Sequence, residues 1–153
     1  MNVIEPTLLI DQQKVRVNID FMVKKCQSLN KSFRPHFKTH QCLEIGHLFR
    51  QRGVDQIAVS SVTMAEYFSK DWQDIFIAIA ANPNDHIRLN ALAQNTQLIL
   101  AVSSRESANA LAAVMNVPVD VMIKLDTGYG RSGIKSQDIK AISSCLAAIN
   151  NSE

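Results

Sequence analysis

The chain has 153 residues, a net charge of +2 and 46% hydrophobic residues, which is enough apolar material for one core and too much for a disordered segment. Lys and Arg are spread along it and aromatics make up only 6%, so it offers little for a nucleic-acid groove, and no apolar run approaches a membrane span. The opening MNVIEPTLLID lacks the layout of a signal peptide, and Cys26, Cys42 and Cys145 show no CxxC spacing; together these favour a cytoplasmic location, reduced thiols and no structural zinc.

In chain order, residues 5–11 (EPTLLID) read as a short apolar strand or an extended lead-in, with Asp11 placed to cap a helix. Val15, Ile19, Met22, Val23 and Cys26 recur at helical spacing and predict that amphipathic helix over 12–29. Residues 32–40, SFRPHFKTH, contain no Val, Ile or Leu. As an extended first strand they place Ser32, Arg34, His36 and Lys38 on one face and Phe33, Pro35 and Phe37 on the other. Three cationic or potentially cationic groups on one face cost electrostatic energy unless an anion joins them or the amine loses its proton. Both outcomes suit a Schiff-base lysine, which must be neutral to attack an aldehyde. The alternative is a solvated basic edge strand.

Leu43, Ile45, Leu48 and Phe49 predict a helix over 40–52 closed by Gly53. A second strand spans 56–60, and Thr63-x-x-Glu66 has the pattern of a capping box opening a helix through Phe68. The apolar run DIFIAIA, 74–80, is a third strand, followed by a helix start at Pro83-Asn84-Asp85. Residues 97–102 make a fourth strand, and Ser103-x-x-Glu106 is a second capping-box pattern for a helix ending near Met115. The fifth strand is 119–125. A glycine-rich turn over 126–133 precedes a last helix over 136–150.

Strands alternating with helices specify an α/β chain of five parallel βα units, read as a single domain over 1–153. An open doubly wound sheet and the N-terminal five units of a TIM (β/α)8 barrel both accept this order. The polar content favours the barrel. Lys38, Lys124 and Asp126 fall at alternate positions near strand C-termini, where a barrel places its chemistry. Since a whole barrel needs about 250 residues, the expectation is an incomplete barrel, about three units short.

The stretch 123–133, IKLDTGYGRSG, puts Lys124 and Asp126 on one face, and its glycines let Arg131 reach back over the strand end. Arginine's fixed fork of donors suits a phenolate, carboxylate or phosphate oxygen. With PTLLID and RPHFKTH in the same order, these residues resemble the fold-type III pyridoxal-phosphate enzymes, the alanine-racemase-like barrels. The RPHFKTH form is similar to the branch containing D-threonine aldolases and D-serine dehydratases. The resemblance covers nearly all of this chain and only the N-terminal portion of the family's length.

The resemblance implies cofactor chemistry, with pyridoxal 5'-phosphate as an electron sink for amino-acid bond cleavage. Lys38 resembles the catalytic lysine that forms the Schiff base, and Arg131 the arginine at the cofactor's phenolic oxygen. Arg34 and His36 resemble residues lining that pocket. Lys124 matches a position that supports the arginine in some alanine racemases. The implied activity is a lyase acting on small D-amino acids, of D-threonine aldolase or D-serine dehydratase type, with an alanine-racemase-type enzyme, a non-catalytic carrier or a truncated remnant as alternatives. The resemblance further implies a homodimer in full-length form and places any divalent-metal ligands outside this chain. Two departures from the family pattern are visible: Ala65-Glu66 stands where Glu-Ala is common, and Gln41 follows KTH where Lys is common.

Overall fold

The computed structural model describes residues 4–151, which form two compact units. The first unit takes residues 4–34 and 42–54. Residues 5–10 form neither strand nor helix and stand exposed, with Leu8 and Leu9 largely in solvent. Helix α1, Gln12–Ser28, starts as the sequence predicts, with the Asp11 carboxylate accepting the Lys14 N–H. It closes by a Schellman arrangement. Asn30 enters the left-handed region at φ +50°, and the N–H groups of Lys31 and Asn30 return to the carbonyls of Cys26 and Gln27. Helix α2, Leu43–Arg50, closes in the same way through Gly53 at φ +75°, with Val54 N–H bonded to Phe49 and Gly53 N–H to Arg50. The two helices pair through Arg52, which bonds the Asp20 carboxylate and the Leu48 carbonyl, and through Arg16 on Gln51.

The second unit holds residues 35–41 and 55–151. Strands β1 (Gln56–Val59), β2 (Asp74–Ala80), β3 (Gln97–Val102) and β4 (Asp120–Ile123) lie parallel in the order β1-β2-β3-β4. Each strand therefore pairs with the one before it in sequence. This is the order of a barrel, whereas a doubly wound sheet reverses. The strands read as near-continuous apolar runs because parallel sheets are covered on both faces: all but the first residue of β3 is buried. Helices α3 (Val62–Phe68), α4 (His86–Ala93), α5 (Arg105–Ala112) and α6 (Ile139–Asn150) alternate with them. After β4 the chain makes a small parallel ladder, β5 (Leu125–Asp126) with β6 (Ile134–Lys135).

Three local expectations need correction. The stretch expected as the first strand, 32–40, is reduced to one parallel bridge, His36 with Ala58, supported by the Ala58 N–H to the Pro35 carbonyl at 2.9 Å. A 3-10 turn over Phe37–Thr39 then ends it, so the two-residue alternation stops at His36. Helix α3 is capped by Ser61, whose hydroxyl accepts the Met64 N–H, instead of opening with a box at Thr63. The box expected at Ser103 and Glu106 is shifted by one residue, to Ser104 and Ser107. A serine at 107 completes the reciprocal bonds as well as a carboxylate would, which is why the Ser-x-x-Glu pattern gave the wrong register. No helix of the described residues is long and apolar enough to cross a membrane.

Candidate functional site

Because the strands are parallel, their C-terminal ends share one edge of the sheet. The 3-10 turn with Lys38 lies there, following the bridge of His36 to Ala58 at the end of β1, and Lys124 follows β4. Helices α3 and α5 also begin at this edge, just after β1 and β3, so their positive N-terminal dipole ends open onto it.

The turn carrying Lys38 is anchored by its aromatic neighbour. Phe37 is fully buried, with ring contacts to Phe68 at 5.0 Å, Trp72 at 5.1 Å and His40 at 4.4 Å, all tilted toward edge-to-face. Such a cluster fixes the backbone on which the next residue stands. Gln41 closes the turn at φ +47°, its N–H on the Phe37 carbonyl at 3.0 Å and its side-chain amide on the Lys38 carbonyl at 3.3 Å. Lys38 itself points away from the core and is exposed, and among the described residues its amine has no hydrogen-bond or ion-pair partner. His36 is half-buried; its Nδ1 accepts the Lys38 backbone N–H at 3.3 Å. Burial first and the Lys38 charge second hold its imidazole below the ordinary histidine pKa.

The glycine-rich turn is organised by Asp126. Its carboxylate accepts the N–H groups of Gly128 and Gly130 at 3.0 Å, and those bonds lower its pKa. Lys124 is half-buried and donates from Nζ to the Ala78 carbonyl at 3.3 Å. Ala78 lies where the β2–β3 register shifts, between Ile77 and Ala80, so the lysine braces an irregularity two strands away. Arg131 is exposed, its guanidinium 5.1 Å from the centre of the Tyr129 ring.

Of the residues singled out from the sequence, His36 and Lys38 are brought into direct contact. Lys124 and Arg131 belong to the same unit and follow β4, whereas Arg34 is half-buried at the end of a segment of the first unit. Tyr129 was not singled out; its signal is its place two residues before Arg131 in a glycine-rich turn. Arg88, which holds Glu66 by two bonds of 2.8 and 2.6 Å, has no local signal, since its partner lies 22 residues away.

Pyridoxal phosphate needs an amine for its aldehyde and cationic donors for its oxygens. The donor set here fits, with an accessible amine at Lys38 and an exposed guanidinium at Arg131.

The model of the family described as "Alanine racemase, N-terminal domain" matches residues 10–153. A D-serine dehydratase from Dictyostelium discoideum is 30% identical over 150 residues, 86% of this chain and 37% of that protein. A D-threonine aldolase from Arthrobacter sp is 25% identical over 134 residues, 84% of this chain and 35% of that protein. The solved structure of D-threo-3-hydroxyaspartate dehydratase from Delftia sp. HT23 superposes with a TM-score of 0.87 at 26% identity, covering 94% of this chain and 39% of that one. The chain thus spans under two fifths of the length of these relatives, and its sequentially paired sheet is the opening part of a (β/α)8 barrel. Sheet order and the match over 10–153 agree: the chain belongs to the alanine racemase N-terminal domain family.

Proposed function

We propose that this chain is the lysine-bearing part of a pyridoxal-phosphate-dependent lyase acting on D-amino acids, of D-serine dehydratase or D-threonine aldolase type. The observation that carries the reading is Lys38: an accessible, unpartnered amine, among the described residues, on a turn pinned by a buried aromatic cluster at the C-terminal edge of a parallel sheet. The names of the relatives support the lyase class.

In this reading Lys38 would hold the cofactor's aldehyde, and Arg131 would supply a guanidinium for one of its oxygens. When bound, the cofactor supplies a conjugated ring that takes up the electrons of a bond broken at the amino acid's α-carbon. The chain's own residues position and neutralise. Phe37 keeps the turn from shifting, His36 lines the site beside Lys38, Asp126 shapes the turn that presents Arg131, and Lys124 steadies the end of β4. Arg34, one residue before Pro35, is proposed as a further lining residue.

The test is borohydride reduction after incubation with pyridoxal phosphate, followed by peptide mapping. A pyridoxyl group on Lys38, absent in Lys38→Arg, is expected, because a guanidinium does not lose its proton in proteins. Labelling confined to Lys124 or another lysine would overturn the assignment. For the lyase class, release of an aldehyde or a keto acid from D-threonine or D-serine by the full-length holoprotein is expected, and exchange of the α-proton alone would point to a racemase.

A further inference from the structure

His36 contacts Lys38 in a way that a pocket-lining role does not require. Its backbone is fixed by the bridge to Ala58, and its ring turns forward so that Nδ1 receives the Lys38 N–H at 3.3 Å. That is the place a Ser, Asp or Asn takes when capping a helix, and His36 is the N-cap of the 3-10 turn. An imidazole nitrogen can accept only when it carries no proton, so this bond specifies the tautomer: the proton of the neutral ring is on Nε2. A second bond from the same residue, the Thr39 hydroxyl to the His36 carbonyl at 3.4 Å, ties the turn back.

We infer that His36 is a positioning residue for Lys38: its neutral, Nε2-protonated imidazole caps the turn that carries the amine, and protonation of Nδ1 releases that cap. A proton on Nδ1 turns the acceptor into a donor facing the Lys38 N–H, and it sets a second positive charge beside the Lys38 ammonium. Lys38 is the charged group that acts on the ring, and Arg34 lies two residues before His36 in sequence. The turn brings Lys38 and His40, the latter resting on Phe37 and Phe68; β1 brings Ala58. The low imidazole pKa agrees with this arrangement, which keeps the cap in place through neutral pH. The contact itself stands without any cofactor; its use in catalysis rests on the proposed role of Lys38.

The experiment is a pH titration of the full chain by nitrogen-15 and proton NMR, comparing wild type with His36→Asn and His36→Ala. In wild type the His36 ring nitrogens should report Nδ1 as the unprotonated one. The Lys38 amide resonance should move with the same midpoint as the His36 ring, below the ordinary histidine value. Asparagine offers an oxygen in place of Nδ1 and does not titrate, so His36→Asn should keep Lys38 amide protection and lose its pH dependence. His36→Ala should lower that protection about fivefold, the share of one hydrogen bond. A Lys38 amide that ignores the His36 titration in wild type, or a proton found on Nδ1 of the neutral ring, would overturn the inference whether or not the variants fold. Failure of wild type to take up pyridoxal phosphate on Lys38 would count against the proposed function, while the NMR outcome would still decide this one.

Discussion

Of the four glycines at positive φ, Gly133 is the one where an added Cβ would meet backbone atoms. A Cβ there would lie 2.8 Å from both the Asp126 nitrogen and the Leu125 carbonyl carbon, and the backbone stands at φ +119°. Backbone cannot yield as a flexible side chain can, so Gly133→Ala should lower stability by about 3 kcal/mol in denaturant unfolding. A change under ~0.5 kcal/mol would show that the β5–β6 ladder adjusts freely. Asp126, on the other side of that contact, makes a pH-dependent contribution. The N–H bonds from Gly130 and Gly128 lower its folded pKa, so the unfolded chain takes up the proton more readily. The stabilisation is complete above the ordinary aspartate value, about 3.9, and is lost as pH falls through the lowered folded value. Asp126→Asn should therefore be less stable than wild type at neutral pH, and the gap should close in strong acid. A gap that is the same at both pH values would mean the carboxylate's charge has no part in shaping the turn. At this scale the sequence was informative wherever chemistry is local, as at Asp11, Gly53 and the glycines of 128–133, and silent where a partner is remote, as for Arg88 with Glu66 and Lys124 with Ala78.

Among the elements, α4 is fastened to the connection before β4 by a single buried side chain. Asn90, the one buried polar residue among those described, donates to the carbonyls of His86 and Val114, both at 2.9 Å, and accepts the Asn116 N–H at 2.6 Å. Removing it strands two remote backbone groups, so Asn90→Ala should cost about 2 kcal/mol and lower the thermal midpoint. Asn90→Asp, which keeps the acceptor and loses both donors, should be destabilising as well. If both variants melt with wild type, these bonds are replaced by water at no cost. For α3, Ser61→Ala should cost about 1 kcal/mol as a lost N-cap, whereas Thr63→Ala should cost less, because Thr63 serves only as an acceptor for Arg88. Element identities were readable because each βα unit repeats the switch from apolar run to helical spacing. The first strand was not, since SFRPHFKTH contains both the alternation of a strand and the aromatic that must be buried to end it, and packing of Phe37 against Phe68 and Trp72 decides the outcome.

On the scale of the four-stranded sheet, pairing runs strictly forward: β2, β3 and β4 each pair with the strand immediately preceding them. In a growing chain emerging from the ribosome, β2, β3 and β4 thus each meet a template that already exists, and none of them waits for a segment still to be made. Each ladder joins residues 18 to 23 positions apart, the length of one βα unit, so no pairing in this sheet has to close a longer loop. Shortening the chain from its C-terminal side should then remove the outermost strand and leave the earlier ladder standing, so fragments ending after β3 should retain protease protection across β1 and β2. Loss of protection in β1 on removing β4 would indicate instead that the sheet closes as one cooperative event, with no order of assembly written into its topology.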